Sequence, residues 1–86
     1  MKLSALKNLG KTMERKLTSV GIHDSDELTA LGSQEAFVLL KAEYPEVCVV
    51  HLYALESALR GIAFSELPQD IRNDLKDFYR KLDSST

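Results

Sequence analysis

Eighty-six residues, 44% apolar and 28% charged with a net charge of −2, describe one small globular domain and exclude a multidomain enzyme. A chain this short buries only about 60–65% of its unfolded surface, so a dense core leaves little volume for a deep substrate pocket. Cys48 has no second cysteine to pair with, and apolar runs such as residues 47–50 are far below a membrane span or signal-peptide core. The cytoplasm is the expected compartment, with no membrane contact.

The charge is graded along the chain. Lys2, Lys7, Lys11, Arg15 and Lys16 against Glu14 give residues 1–20 a net +4. Asp24, Asp26, Glu27, Glu35, Glu43, Glu46 and Glu56 against Lys41 give residues 21–59 a net −6, and residues 60–86 balance. An acidic domain is a poor non-specific ligand for nucleic acid, whose affinity comes mostly from phosphate neutralisation, but the basic end could still touch a backbone.

Gly10, Gly21, Gly32 and Gly61 each follow an apolar-periodic stretch, where a helix end favours a residue that accepts positive φ. The pattern predicts an all-α fold of five to six short helices. The first covers residues 4–9, the second 11–20, and the third 26–31 with Asp24 or Ser25 as its cap. A fourth covers residues 33–43. The fifth, residues 46–60, is apolar nearly all round through Val47, Val49, Val50, Leu52, Tyr53, Ala54, Leu55, Ala58 and Leu59, and is the expected buried hub. The sixth opens at Pro68, a residue suited to the first helical position, and carries the stripe Ile71, Leu75, Phe78 and Leu82. Residues 83–86 have no apolar anchor and are expected to fray, closing a single domain over residues 1–86.

Two segments repeat Leu-x-x-Leu-Gly at a distance of 22 residues: Leu6-Lys7-Asn8-Leu9-Gly10 and Leu28-Thr29-Ala30-Leu31-Gly32. Each leads at once into a helix, so tandem helical hairpins are expected around the central helix. A helix that starts after glycine offers free backbone N–H groups and a partial positive charge, which suits a phosphate oxygen. Lys7, Gly10, Lys11, Thr12, Arg15 and Lys16 surround the first such start and form the candidate phosphate or DNA contact. Glu35 at the second start would repel phosphate. A leucine-glycine corner is also what any small helical domain uses to turn, and the second glycine of a Gly-x-Gly DNA-binding hairpin is absent from Gly10-Lys11-Thr12.

Cys48 and His51 share one helical face, yet half a metal site lacks its other half, and His23 with Asp24 adds no motif. Cys48 is read as a small buried hydrophobe and His51 as a boundary residue. No nucleophile-base set or phosphate loop appears, so no enzyme, cofactor or metal is expected. Glu56 interrupts the apolar hub helix and is given a structural role, either pairing with Arg60 one turn on or accepting backbone N–H groups at a hairpin. Gly10, Gly32, Arg60, Gly61 and Pro68 are structural with it. Phe37, Tyr44, Tyr53, Phe64, Phe78 and Tyr79 are expected to pack rather than stack on bases.

The segments Leu6-Lys7-Asn8-Leu9-Gly10-Lys11, Val20-Gly21-Ile22, Asp26-Glu27-Leu28-Thr29-Ala30-Leu31-Gly32, Leu52-Tyr53-Ala54-Leu55-Glu56-Ser57-Ala58-Leu59-Arg60-Gly61 and Glu66-Leu67-Pro68 resemble, in order, the C-terminal domain of the TfoX/Sxy competence regulators. The resemblance spans residues 6–82. Where the family usually has glycine, this chain has Ser57. It implies a helix-hairpin-helix or SAM-like domain, often joined to a separate N-terminal domain, that helps switch on DNA-uptake genes. It also implies transcriptional co-activation with the cyclic-AMP receptor protein or RNA polymerase as partner, and supplies no catalytic residue. The expected function is a regulatory module acting through protein contacts, with direct DNA-backbone binding by the first hairpin as the alternative. A third expectation is homodimerisation through the Ile71, Leu75, Phe78 and Leu82 stripe, unless that stripe closes the domain's own core.

Overall fold

Apolar side chains recurring at three- and four-residue spacing draw the chain into helices on one core; the computed structural model describes residues 2–84, with side chains through residue 82. In chain order these are a 3-10 turn at Leu3–Ala5, α1 (Lys11–Ser19), α2 (Ser25–Glu43), α3 (Val49–Arg60), a 3-10 turn at Phe64–Glu66, and α4 (Gln69–Ser84). No strand occurs among the described residues. The all-α expectation holds, with four α-helices and two 3-10 turns in place of five to six helices.

Helix α2 is capped by Asp24, whose carboxylate accepts the Glu27 N–H at 2.9 Å, while Glu27 accepts the His23 N–H at 2.7 Å. It bends at Gly32, where φ 84 and ψ 164 form a combination essentially reserved for glycine. The two arms, residues 25–31 and 33–43, are the third and fourth expected helices. Across the bend, Leu28, Ala36, Phe37 and Leu40 all turn inward.

Helix α3 packs most extensively on α2 and also supports α4, so it is the hub that its composition predicts. Leu52 and Leu55 are fully buried, as is Ser57, whose hydroxyl donates to the Tyr53 carbonyl at 2.8 Å. That bond satisfies the one polar side-chain atom that Ser57 brings into the core. Around these residues Leu3, Leu9, Leu17, Ile22, Val47, Leu67 and Leu75 complete the core. Phe37 meets Tyr79 edge-on at 5.8 Å, and Tyr53 meets Phe64 at 6.0 Å, which confirms packing roles for these aromatics. On α4, Leu75 is buried and Ile71, Phe78 and Leu82 pack half-buried on the same core, so the stripe closes this domain.

The structure corrects several boundaries. The expected first helix is only a 3-10 turn, after which Asn8 adopts φ 71. Gly10 is extended at φ −99, whereas Gly21, Gly32 and Gly61 do take positive φ. The first Leu-Gly corner therefore reverses through Asn8, and the two copies of the repeat are not the same turn. Helix α3 starts at Val49 rather than residue 46, because Cys48 is its extended N-cap. Cys48 is half-buried and Val50 is 52% exposed, so neither belongs to the core. Helix α4 continues through Ser84, and the remaining residues of the expected frayed tail, 85 and 86, lie outside the described ones.

Candidate functional site

The basic N-terminal segment folds back along α1 because Leu3 is fully buried and the Ser4 N–H donates to the Glu14 carboxylate at 3.1 Å. An open cleft of about 670 Å³ forms between them, with Lys2, Lys11, Arg15 and His23 on its walls beside Glu14, Thr18 and Ser19. Lys11 and Thr12 occupy the first turn of α1, and both are exposed together with the N-cap Gly10, so that helix start is open to solvent. Lys11 and Arg15 thus share one cleft, as an anion contact requires.

The other two cations expected there are placed elsewhere. Lys7 is exposed in the turn before Gly10 and does not line the cleft. Lys16 faces the end of α2, with its ammonium 3.5 Å from Glu46 and 5.1 Å from the Tyr44 ring centroid. Beside it, the Ser19 and Tyr44 hydroxyls are hydrogen bonded at 2.7 Å. The Glu46 carboxyl is held below its ordinary range by hydrogen bonding to its own backbone N–H, aided by Lys16 and His51 against some desolvation. Lys2 joins Lys11 and Arg15 in the cleft instead, and the His23 imidazole, 3.0 Å from the Glu27 carboxylate, completes the wall. Sequence spacing did not single out these two, because only tertiary folding brings residues 2 and 23 beside α1.

The second hairpin is built around Glu56. Its carboxylate accepts from the Ser33 hydroxyl at 2.5 Å and from Arg60 Nε at 2.6 Å, with Ser33 almost completely buried just beyond Gly32. The expected Arg60 pair is present, whereas the expected acceptance of backbone N–H groups is not: the second donor to Glu56 is the Ser33 side-chain hydroxyl. Gly61 ends α3 in the left-handed region at φ 70, and α4 opens at Gln69 rather than at Pro68, which stands just before it and accepts the Arg72 N–H at 3.0 Å through its carbonyl.

The outer side of the second α2 arm is a surface that sequence reasoning missed. Gln34, Glu35, Val38, Leu39, Ala42 and Glu43 are all exposed along it, with Leu31 at the bend above. Val38 and Leu39 are 39% and 40% exposed. Together with Phe78 of α4 they line a groove of about 260 Å³ in which Glu35 is the one charged lining residue among those described. The signal lay in the unbroken apolar run at residues 36–40, which exceeds what one buried helical stripe needs.

Near the start of α3, His51 Nδ1 accepts the Cys48 N–H at 3.0 Å and lies 3.6 Å from the thiol sulfur. The imidazole is thus a cap for α3. No cluster of three or more metal-ligating side chains occurs among the described residues, and none of their helices is long and apolar enough to cross a membrane.

Residues 1–79 match the family model of the TfoX C-terminal domain. The chain belongs to that family. Its fold is shared with two crystal structures of Listeria monocytogenes proteins. One, described as uncharacterised, is 38% identical with a TM-score of 0.94, over 96% of this chain and 94% of that one. The other, described as of unknown function, is 40% identical with a TM-score of 0.90, over 93% of this chain and 99% of that one. No curated protein matches the chain. Membership of the TfoX C-terminal family associates the domain with competence.

Proposed function

We propose that this domain is a non-enzymatic interaction module of a competence regulator and acts through protein contacts with the transcription machinery. The observation that supports this reading is the outer face of α2, where Val38 and Leu39 stand exposed among Gln34, Glu35, Ala42 and Glu43, with Leu31 exposed at the bend above. Isolated exposed leucines are ordinary, but several on one face beside a groove mark a contact surface. The partners implied by the family are the cyclic-AMP receptor protein and RNA polymerase. The test is a photo-crosslinking residue at position 39, compared with one at position 15, in cells grown to competence. Crosslinking to polypeptide at position 39 that is lost on Val38→Ser supports the reading; crosslinking to DNA at position 15 alone overturns it.

Direct DNA contact is the second reading, favoured by the convergence of Lys2, Lys11 and Arg15 on one cleft. Glu14 in the same wall and the −6 segment that follows weigh against it. Electrophoretic titration at low salt decides. Retardation that weakens in Lys11→Ala/Arg15→Ala, with a salt slope shallower by about one for each phosphate no longer neutralised, supports DNA binding. No retardation removes it.

A further inference from the structure

The groove beside Leu39 has a defined chemistry, and it is not the chemistry of the basic cleft. Its apolar wall is Val38 and Leu39, and Phe78 contributes from α4. Glu35 and Glu43 flank Leu39 at i−4 and i+4, so all three lie on one helical face. The two glutamates are about 12 Å apart along the helix axis at 1.5 Å per residue. Both are exposed, and neither has a hydrogen-bond or ion-pair partner among the described residues. The one cation of this helix, Lys41, is turned away: its ammonium donates to the Pro45 and Val47 carbonyls and sits 5.6 Å from the Tyr79 ring centroid.

We infer that this face seats a cationic amphipathic helix of another protein, its apolar residues in the groove and its lysines or arginines on Glu35 and Glu43. The inference rests on the protein-contact reading above and specifies the partner's chemistry. Charge decides the occupant. A second copy placed face to face would set Glu35 and Glu43 against their own counterparts, a like-charge contact. The chain's own basic helix, α1, exposes Lys11, Thr12, Arg15, Thr18 and Ser19 but buries Leu17 and packs Met13 against the core, so it presents no exposed large apolar residue to the groove. Nucleic acid would bring phosphate to unneutralised carboxylates. An apolar stripe flanked by cations on a helix fits both parts of the surface, in the helix-in-groove manner.

The probe is a fluorescein-labelled 18-residue helical peptide of leucine and lysine, with leucine at i, i+3, i+4 and i+7. A scrambled peptide of the same composition and a leucine-glutamate analogue accompany it. Binding of the leucine-lysine helix is expected, with amide shifts confined to residues 31–43 and the neighbourhood of Phe78. Leu39→Ser, and separately Glu35→Gln/Glu43→Gln, should each weaken binding about tenfold, a loss of about 1.4 kcal/mol. The control Asp26→Asn/Asp70→Asn, equal in charge change, should leave it within about twofold, since it touches neither part of the contact. Equal binding of the scrambled peptide, equal weakening by the control, or shifts centred elsewhere overturns the inference, as does a dimer through this face in light scattering. If the peptide fails while position 39 still crosslinks to protein in cells, the function stands and this occupant is wrong.

Discussion

Asn8 and Phe64, 56 residues apart in sequence, are joined by a hydrogen bond from the Phe64 N–H to Asn8 Oδ1 at 3.1 Å. The same side chain donates through Nδ2 to the Ile62 carbonyl at 2.9 Å. One amide thus copies a backbone pairing and clips the N-terminal segment to the loop between α3 and α4. Asn8 can take this position because asparagine tolerates the φ of 71 found there better than most residues.

Asn8→Gly keeps the backbone angle and loses both bonds, so it is expected to cost about 1–2 kcal/mol of unfolding free energy. Asn8→Ala adds left-handed strain and should cost about 1 kcal/mol more. Urea titration of both variants measures the two contributions separately; equal stability of the two would mean that the strain is absent.

The two Leu-Gly corners should answer to very different degrees to the same substitution. Gly32→Ala meets no atom within 4 Å but is forced into a glycine-only region, and is expected to lower stability by at least about 1–3 kcal/mol. Gly10→Ala also meets open space, at an ordinary extended φ of −99, and should change stability by less than about 1 kcal/mol. Thermal denaturation of the pair checks this.

Much of the fold could be read from the chain because its helices obey period and punctuation. Asp24 was recognisable as a cap, Gly32 as a break, and Ile71, Leu75, Phe78 and Leu82 as one stripe. The first corner was misread because Leu6-Lys7-Asn8-Leu9-Gly10 matches the second copy in letters while Asn8, not Gly10, carries the positive φ. The start of α3 was placed three residues early because Val47 is buried without being helical. At the site, Lys11 and Arg15 were legible from their place at the helix start after Gly10 and one turn beyond it. Lys16 was not, since only tertiary folding sets Tyr44 and Glu46 beside it. Nor was the α2 groove, because five consecutive apolar residues do not reveal which of them face outward.

The Ser33–Glu56–Arg60 set should behave as one coupled unit. Ser33→Ala is expected to cost about 1 kcal/mol, and Glu56→Ala more, since it leaves both the buried hydroxyl and Arg60 without their acceptor. A double-mutant cycle between residues 33 and 56 should return a coupling of at least about 0.5 kcal/mol. Strict additivity would show that the hydrogen bond between them contributes nothing to stability.

Glu46 gives the fold an acid limb. Its carboxyl titrates below the usual value when folded, so the ionised form is stabilising above the unfolded value of about 4.3, and that contribution disappears as pH falls through the folded value. The stability difference between the parent and Glu46→Gln should be constant above about pH 5.5 and shrink as the carboxyl protonates. A difference that widened on acidification would contradict this sign. Chemical denaturation across the acid range is the measurement.

The placement of Lys2 and Ser4 on the wall of the basic cleft has a practical corollary for anyone preparing this domain. An acidic or bulky group attached at the Lys2 side chain would sit on the wall of that opening and mask its cations. Gel-shift work on the cleft therefore calls for material left unmodified at Lys2.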